Sequence, residues 1–243
     1  MKEMKVKRDR KRRGWRWGAV VVVVVVGVVL WGGWGWEGGD VVKNWVRARL
    51  LGRSVAEAVE KVCGRRPEVR EMAEGTGGSL KILVFKREGV VEVSAPGWGA
   101  ARRYAMTAGS GGPGPKLREG DGQIPEGFYR VESLNPNSLY HLSLRLDYPN
   151  GFDRARARED GRERLGGDIM IHGSNRSVGC VAIGDEGIEE VFCCAAKAGV
   201  ENVSVAIAPY DMREGRRREL EEGVEVEWYG ELCAALEEGL KGW

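Results

Sequence analysis

The most constraining feature of this 243-residue chain is an uncharged run, Trp17–Trp36, built around seven consecutive valines, Val20–Val26. Its 20 residues match the roughly 20 that an α-helix needs to cross the hydrocarbon core of a bilayer. Valine is a weak helix former in water, but lipid leaves the backbone no partner except itself. Trp15, Trp17, Trp31, Trp34 and Trp36 gather at the two ends, where amphipathic rings favour the interface. Residues 1–17 carry nine Lys/Arg against Glu3 and Asp9. That excess predicts a basic cytoplasmic tail over 1–17, a membrane segment over 18–36 and an exported body. An uncleaved anchor is favoured over a cleaved signal segment, because no small-x-small cleavage site precedes Glu37.

With nine cations against two anions the tail is +7, which leaves −5 for the rest of a chain whose total is +2. The body therefore lacks the positive excess needed to track phosphates, and nucleic acid is excluded as its partner. Its length suits one or two domains. Five cysteines (Cys63, Cys180, Cys193, Cys194, Cys233) leave at least one thiol outside an internal pair. With only His141 and His172 for imidazole and no CxxC spacing, a structural zinc site is not expected.

The body reads as a helical lead and linker (40–79), a strand-rich middle (80–209) and a C-terminal helical extension (210–243), an α+β arrangement. Apolar spacing predicts helices over Asp40–Leu51 and Ser54–Cys63, the second capped by Ser54. Strands are expected over Leu80–Phe85, Val90–Val93, Arg103–Thr107, Gly127–Glu132, Ser138–Asp147, Asp168–Ile171, Val181–Ile183 and Asn202–Ala208. Further helices are expected from a cap at Asp185 to Ala198 and over Trp228–Leu240. Ala108–Pro115 is too rich in glycine for a strand, and the mixed-charge run Arg154–Arg164 reads as a solvated excursion. One candidate pairing, Cys63 with Cys233, would join the flanking helices, but the sequence leaves the pairing of Cys63, Cys193, Cys194 and Cys233 open; adjacent Cys193 and Cys194 are most simply packed within their helix.

Chemistry concentrates in Asp168-Ile-Met-Ile-His-Gly-Ser-Asn-Arg-Ser-Val-Gly-Cys180. A cysteine attacks as its thiolate, and a neighbouring imidazole can take the proton and return it to a leaving amine. Eight residues of extended chain span about 26 Å, so the turn formers of Gly173–Ser177 must fold it back for His172 to meet Cys180. Backbone N–H groups at Val178, Gly179 and Cys180 are candidates for an oxyanion hole. Taken alone, such a pair is more often a hydrogen-bonded strand-end histidine and a buried or disulfide-bonded cysteine than a catalytic couple.

The pattern Met170-Ile-His-Gly-(x4)-Val-Gly-Cys180, with Val181–Glu190 after it, resembles the catalytic signature of the L,D-transpeptidase (YkuD-type) family, in its YafK-like branch. Gly109–Leu117 with Gly120–Tyr129, and Leu134–His141 with Tyr148–Asn150, are similar to that branch as well. The resemblance covers roughly Leu80–Pro209. It implies a β-rich catalytic domain acting on peptidoglycan stem peptides in the bacterial envelope, tethered to the cytoplasmic membrane or secreted to the periplasm, with no cofactor and no metal. Cys180 is then the nucleophile and His172 the base, oriented by Gly173 or Ser174. Ser177 matches the Ser/Thr of the wider family's motif, and Val178 replaces its histidine. The acyl acceptor is an amine on another stem or on an envelope protein; a hydrolase would use water, and a non-catalytic peptidoglycan-binding protein is the third reading. His141 and Tyr129 either line the cleft or pack, and Arg176 is a candidate for a substrate carboxylate.

Overall fold

The computed structural model describes residues 52–112, 114–213, 224 and 226–243. The basic tail, the Trp17–Trp36 segment and the helix expected over 40–51 lie outside the described residues. The chain divides into two units, Met1–Gly52 and Arg53–Trp243, and the second is described below. Among the described residues no helix is long and apolar enough to cross a membrane.

Two short helices lead, α1 (Val55–Cys63) and α2 (Pro67–Glu74). Ser54 caps α1 reciprocally: its hydroxyl accepts the Glu57 N–H, and the Glu57 carboxylate accepts the Ser54 N–H. The sequence reading missed α2. Proline starts it at a position where a missing N–H costs nothing, and it buries only Val69 and Ala73, too few to show a stripe.

Eight strands follow: β1 (Leu80–Phe85), β2 (Val90–Ser94), β3 (Arg102–Ala105), β4 (Gly127–Ser138), β5 (His141–Leu146), β6 (Met170–His172), β7 (Val181–Ala182) and β8 (Val203–Ala208). They form one sheet in the order β3-β2-β1-β8-β4-β5-β6-β7. The β1–β8 and β6–β7 pairs are parallel and the others antiparallel. Three helices complete the domain: α3 (Gly151–Glu159), α4 (Gly184–Ala198) and α5 (Tyr229–Leu240).

Alternation along the central strands feeds two cores. Leu80, Ile82 and Val84 of β1 and Val203, Val205 and Ile207 of β8 pack with α1, α2 and α4. Leu83, Phe85, Ala206 and Ala208 face the other way, onto Trp228, Leu232, Leu236 and Leu240 of the C-terminal segment. Covering on both faces explains why these strands read as nearly continuous apolar runs.

Two expectations are corrected and one open pairing is resolved. Arg154–Arg164 is not a simple excursion, because residues 154–159 belong to helix α3, which a capping box of Asn150 and Asp153 begins. Ala157 is the only residue that α3 buries, so no apolar period announced it. Asp185 does not cap α4; Ile183 holds the cap position and Asp185 lies in the first turn. Cys63 pairs with Cys193, not Cys233, joining α1 to α4 with 6.4 Å between Cα atoms. Cys63 and Cys193 belong to one core, whereas Cys233 is buried in the other, across the sheet.

Candidate active site

Strand register places the two candidate residues. Ile171 pairs with Val181 and His172 with Ala182 in the parallel β6–β7 ladder. Cys180, one residue ahead of β7, therefore falls by alternation on the sheet face of His172, diagonally beside it. The opposite face carries Leu142, Leu144, Leu146, Ile171 and Val181, all in the core. The turn-forming Gly173–Gly179 segment thus folds back as the sequence requires.

The environment of His172 fixes its tautomer. The ring is 1% exposed, and Nδ1 lies 2.6 Å from the Gly173 carbonyl, which can only accept. The proton therefore sits on Nδ1, and Nε2 is left as the acceptor, buried and without a partner among the described residues. Burial lowers the imidazole pKa from its ordinary value, and the Gly173 bond opposes this. Tyr140 stacks on the ring. Gly173 has no room for a side chain: a Cβ would lie 2.6 Å from Asp185 Oδ1 and 2.8 Å from the Tyr140 carbonyl. Ser174, at φ 67°, contributes its backbone. Its N–H donates to Asp185 Oδ1 (2.7 Å), and its carbonyl accepts from the Thr107 hydroxyl (2.7 Å). Of the two orienting residues expected, Gly173 holds the imidazole.

Cys180 is a free thiol, half-buried, with Sγ 3.5 Å from the Asp168 carbonyl. Burial raises its pKa, as does the Asp168 carboxylate, while a backbone hydrogen bond from Met170 and the Lys116 ammonium oppose the rise. The Ser177 hydroxyl accepts the Cys180 N–H (3.0 Å) and donates to the Cys180 carbonyl (2.7 Å), so it ties the turn that carries the thiol. Gly179, at φ 79°, donates its N–H to the Ser110 hydroxyl at 2.8 Å. A Cβ there would meet the Gln123 carbonyl at 3.2 Å. In this structure the Gly179 and Cys180 amides are taken by the Ser110 and Ser177 hydroxyls, and of the three candidate oxyanion donors Val178 N–H is the one with no hydrogen bond among the described residues. The Val178 side chain is 82% exposed.

The remaining candidates divide. His141 Nε2 lies 2.8 Å from Glu189 Oε1 on α4, half-buried, so it is a partnered residue at the hairpin tip. Tyr129 is buried in the core, with its hydroxyl donating toward the Glu126 carbonyl and Asp153; it packs and does not line a cleft. Arg176 is exposed on the fold-back loop, with no ion pair among the described residues.

Four neighbours escaped the sequence reading. Ser110 receives Gly179 and donates to the Gly122 carbonyl, bridging the 108–126 loop to the nucleophile turn. Ser143 pairs directly with His172 in the β5–β6 register, its hydroxyl buried and without a partner among the described residues. Tyr140 covers the imidazole, and Arg145 lies beyond Ser143 on the same face. Strand alternation puts His141, Ser143 and Arg145 on one face of the expected 138–147 strand, and that was the available signal.

Residues 81–201 match the family model of the L,D-transpeptidase catalytic domain, YkuD. This segment belongs to that family. The Escherichia coli K12 protein YafK, named as a candidate L,D-transpeptidase, is 34% identical over 150 residues, covering 58% of each chain. The chain thus spans little more than half the length of that relative. Among solved structures, the helical cell shape determining protein Pgp2 from Campylobacter jejuni is 23% identical, over 58% of this chain and 54% of that one, at a TM-score of 0.41. Bd1075 of Bdellovibrio bacteriovorus is 22% identical over 54% and 47%, at 0.39.

Proposed function

We propose that this L,D-transpeptidase domain catalyses acyl transfer on peptidoglycan stem peptides through Cys180, outside the cytoplasmic membrane. The observation that carries the reading is the imidazole of His172. Its Nδ1–H is committed to Gly173 and its Nε2 is unpartnered, on the same sheet face as a free thiol. Such a ring can only accept a proton at Nε2, as a general base beside a nucleophile must.

On this reading Nε2 takes the Cys180 proton, and Sγ attacks the carbonyl of the third residue, diaminopimelate, in a donor stem. Val178 N–H donates to the developing oxyanion. As the tetrahedral intermediate collapses, the imidazolium returns its proton to the amine of the departing D-alanine, which leaves an acyl-cysteine. An amine from a second stem or an envelope protein then attacks the thioester, and His172 takes that amine's proton. If water enters instead, the same pair makes the protein a hydrolase. Residues 80–209 form the catalytic unit, between the lead at 40–79 and the C-terminal extension at 210–243. The Trp17–Trp36 segment tethers it to the membrane.

The test is incubation of purified sacculi with full-length protein, followed by mass analysis of muropeptides. Crosslinks between two third-position residues, absent with Cys180→Ala, are the expected result. Released peptides or freed envelope protein would assign hydrolysis. Sacculi unchanged by both proteins would reduce the domain to a binding module.

A further inference from the structure

One cluster beside the candidate nucleophile has no part in the proton transfer. Arg145 on β5 pairs through Nε with Glu132 Oε2 at 3.2 Å and through Nη1 with Asp168 Oδ1 at 2.8 Å. Arg145 is registered opposite Met170, and β6 runs beside the strand that Cys180 precedes, so guanidinium and thiol share a face two strands apart. That is about 10 Å between backbones at the usual strand spacing, a gap that one long substrate side chain spans.

Both anions reach Arg145 from unusual backbone. Asp168 sits in the left-handed region at φ 56°, which few non-glycine residues adopt, and its carbonyl is the one that accepts the Cys180 thiol. Glu132 is the extra residue where the β4–β5 register shifts between Val131 and Ser133. Bulges of this kind re-aim side chains near functional sites. The three side chains are 44%, 50% and 72% exposed for Arg145, Glu132 and Asp168. Ion pairs so exposed contribute about 0–1 kcal/mol, so a ligand of matching charge replaces them at little cost.

We propose that Glu132, Arg145 and Asp168 form a subsite for a zwitterionic amino-acid head group, one carbon bearing both an ammonium and a carboxylate, at the end of the donor side chain whose backbone carbonyl Cys180 attacks. This rests on the acyl-transfer reading above. The guanidinium receives the carboxylate through paired N–H donors, and the two acids receive the ammonium. A head group of both signs exchanges each ion pair for another of the same kind and leaves no charge without a partner. A side chain with ammonium alone leaves Arg145 competing with it for the same two acids.

Full-length protein is assayed for terminal D-alanine release from tetrapeptide donors that differ only at the third residue: diaminopimelate, diaminopimelate amidated at its distal carboxylate, and lysine. Carbapenem acylation of Cys180, read by intact mass, reports the nucleophile independently. Wild-type protein is expected to prefer free diaminopimelate by about tenfold or more in kcat/KM, the size of one charge-assisted hydrogen bond. Arg145→Gln should erase that preference by raising KM for diaminopimelate alone, leaving the lysine donor and carbapenem acylation nearly unchanged. No wild-type preference, or an equal loss on all three donors in Arg145→Gln, overturns the proposal. So does wild-type protein that takes carbapenem yet turns over none of the donors. Absence of the carbapenem adduct as well overturns the acyl-transfer reading, and the subsite with it.

Discussion

The Tyr140 ring lies on the His172 imidazole, with centroids 4.6 Å apart and planes 27° from parallel. The hairpin between β4 and β5 is shaped to deliver it. Ser138 accepts the Tyr140 N–H at 3.1 Å, and His141 takes a left-handed backbone at φ 75° while its ring is held by Glu189. The plate closes one face of the imidazole to water and, with the Gly173 bond, leaves the ring one orientation. Tyr140→Ala is expected to slow carbapenem acylation of Cys180 by about tenfold, in keeping with the cost of loosened positioning, through kcat and with KM little changed. Tyr140→Phe, which keeps the stack, should stay near wild type. Equal losses in both variants would assign the effect to the hydroxyl and not to the ring.

The pKa directions predict a neutral resting pair. Burial lowers His172 and raises Cys180, so at neutral pH the site holds a thiol and an imidazole, not a thiolate and an imidazolium. His172 must be unprotonated to act as base. Because its pKa lies below the ordinary value of about 6.5, the acylation rate should hold steady through neutrality and fall only as pH drops below that value. In His172→Ala the acid limb should vanish, and the rate should climb at alkaline pH through a thiol pKa above the ordinary value of about 8.5. Adduct formation followed across pH checks both limbs. Thiolate absorbance from Cys180 at pH 6 would contradict the neutral pair.

The Cys63–Cys193 bridge closes a separation of 130 residues between α1 and α4. Cross-links over such spans stabilise mainly by restricting the unfolded chain, and removing a native one costs about 2–5 kcal/mol. Cys63→Ser and Cys193→Ser should each lower denaturant stability by a similar amount, and the double variant should lose no more than either alone. Urea unfolding of the three proteins, with native thiol titration showing Cys180 still free, provides the check. Additive losses would mean that the two cysteines act separately.

Legibility in the sequence followed the apolar period. β1 and β8, buried on both faces, were readable as strands from apolar runs interrupted only by Lys81 and Ser204, and α4 from its stripe of Ile188, Val191, Phe192 and Ala195. The helices α2 and α3 were not readable, because proline and capping boxes fix their starts while they bury at most two residues each. At the site, His172 and Cys180 stood out because few residue types can do their chemistry. Ser110 could not, since its role depends on a loop returning 69 residues later to present the Gly179 N–H. Glycine freedom at Gly179 was visible in the sequence, but the hydroxyl that accepts its amide was not, for the same reason.

The 108–126 loop that presents Ser110 is held from inside by a buried ion pair, and this gives a last prediction. Lys86 Nζ donates to the carbonyls of Gly114 and Ile124 (2.8 Å each) and to Gln123 Oε1 (3.0 Å), and lies 3.0 Å from Glu126 Oε1. The Glu126 carboxylate in turn accepts the Gly114 N–H (2.7 Å) and the Tyr229 hydroxyl (2.8 Å). Both charges are essentially out of water, with 1% and 0% of their side chains exposed. Lys86→Met strands the carboxylate, and breaking a buried pair from one side costs about 3–5 kcal/mol. For a domain of this size that lowers the melting temperature by about 10 °C. The variant should also lose Cys180 acylation at temperatures where it is still folded, because three loop groups lose their donor and Ser110 is no longer aimed at Gly179. Lys86→Met/Glu126→Leu removes the stranded charge and should recover part of the melting temperature without recovering the acylation rate, since Gly114 and Tyr229 then lack their acceptor. Thermal unfolding and adduct kinetics on the same samples separate the two effects. Recovery of both together would mean that the pair stabilises the fold and does nothing to position the loop.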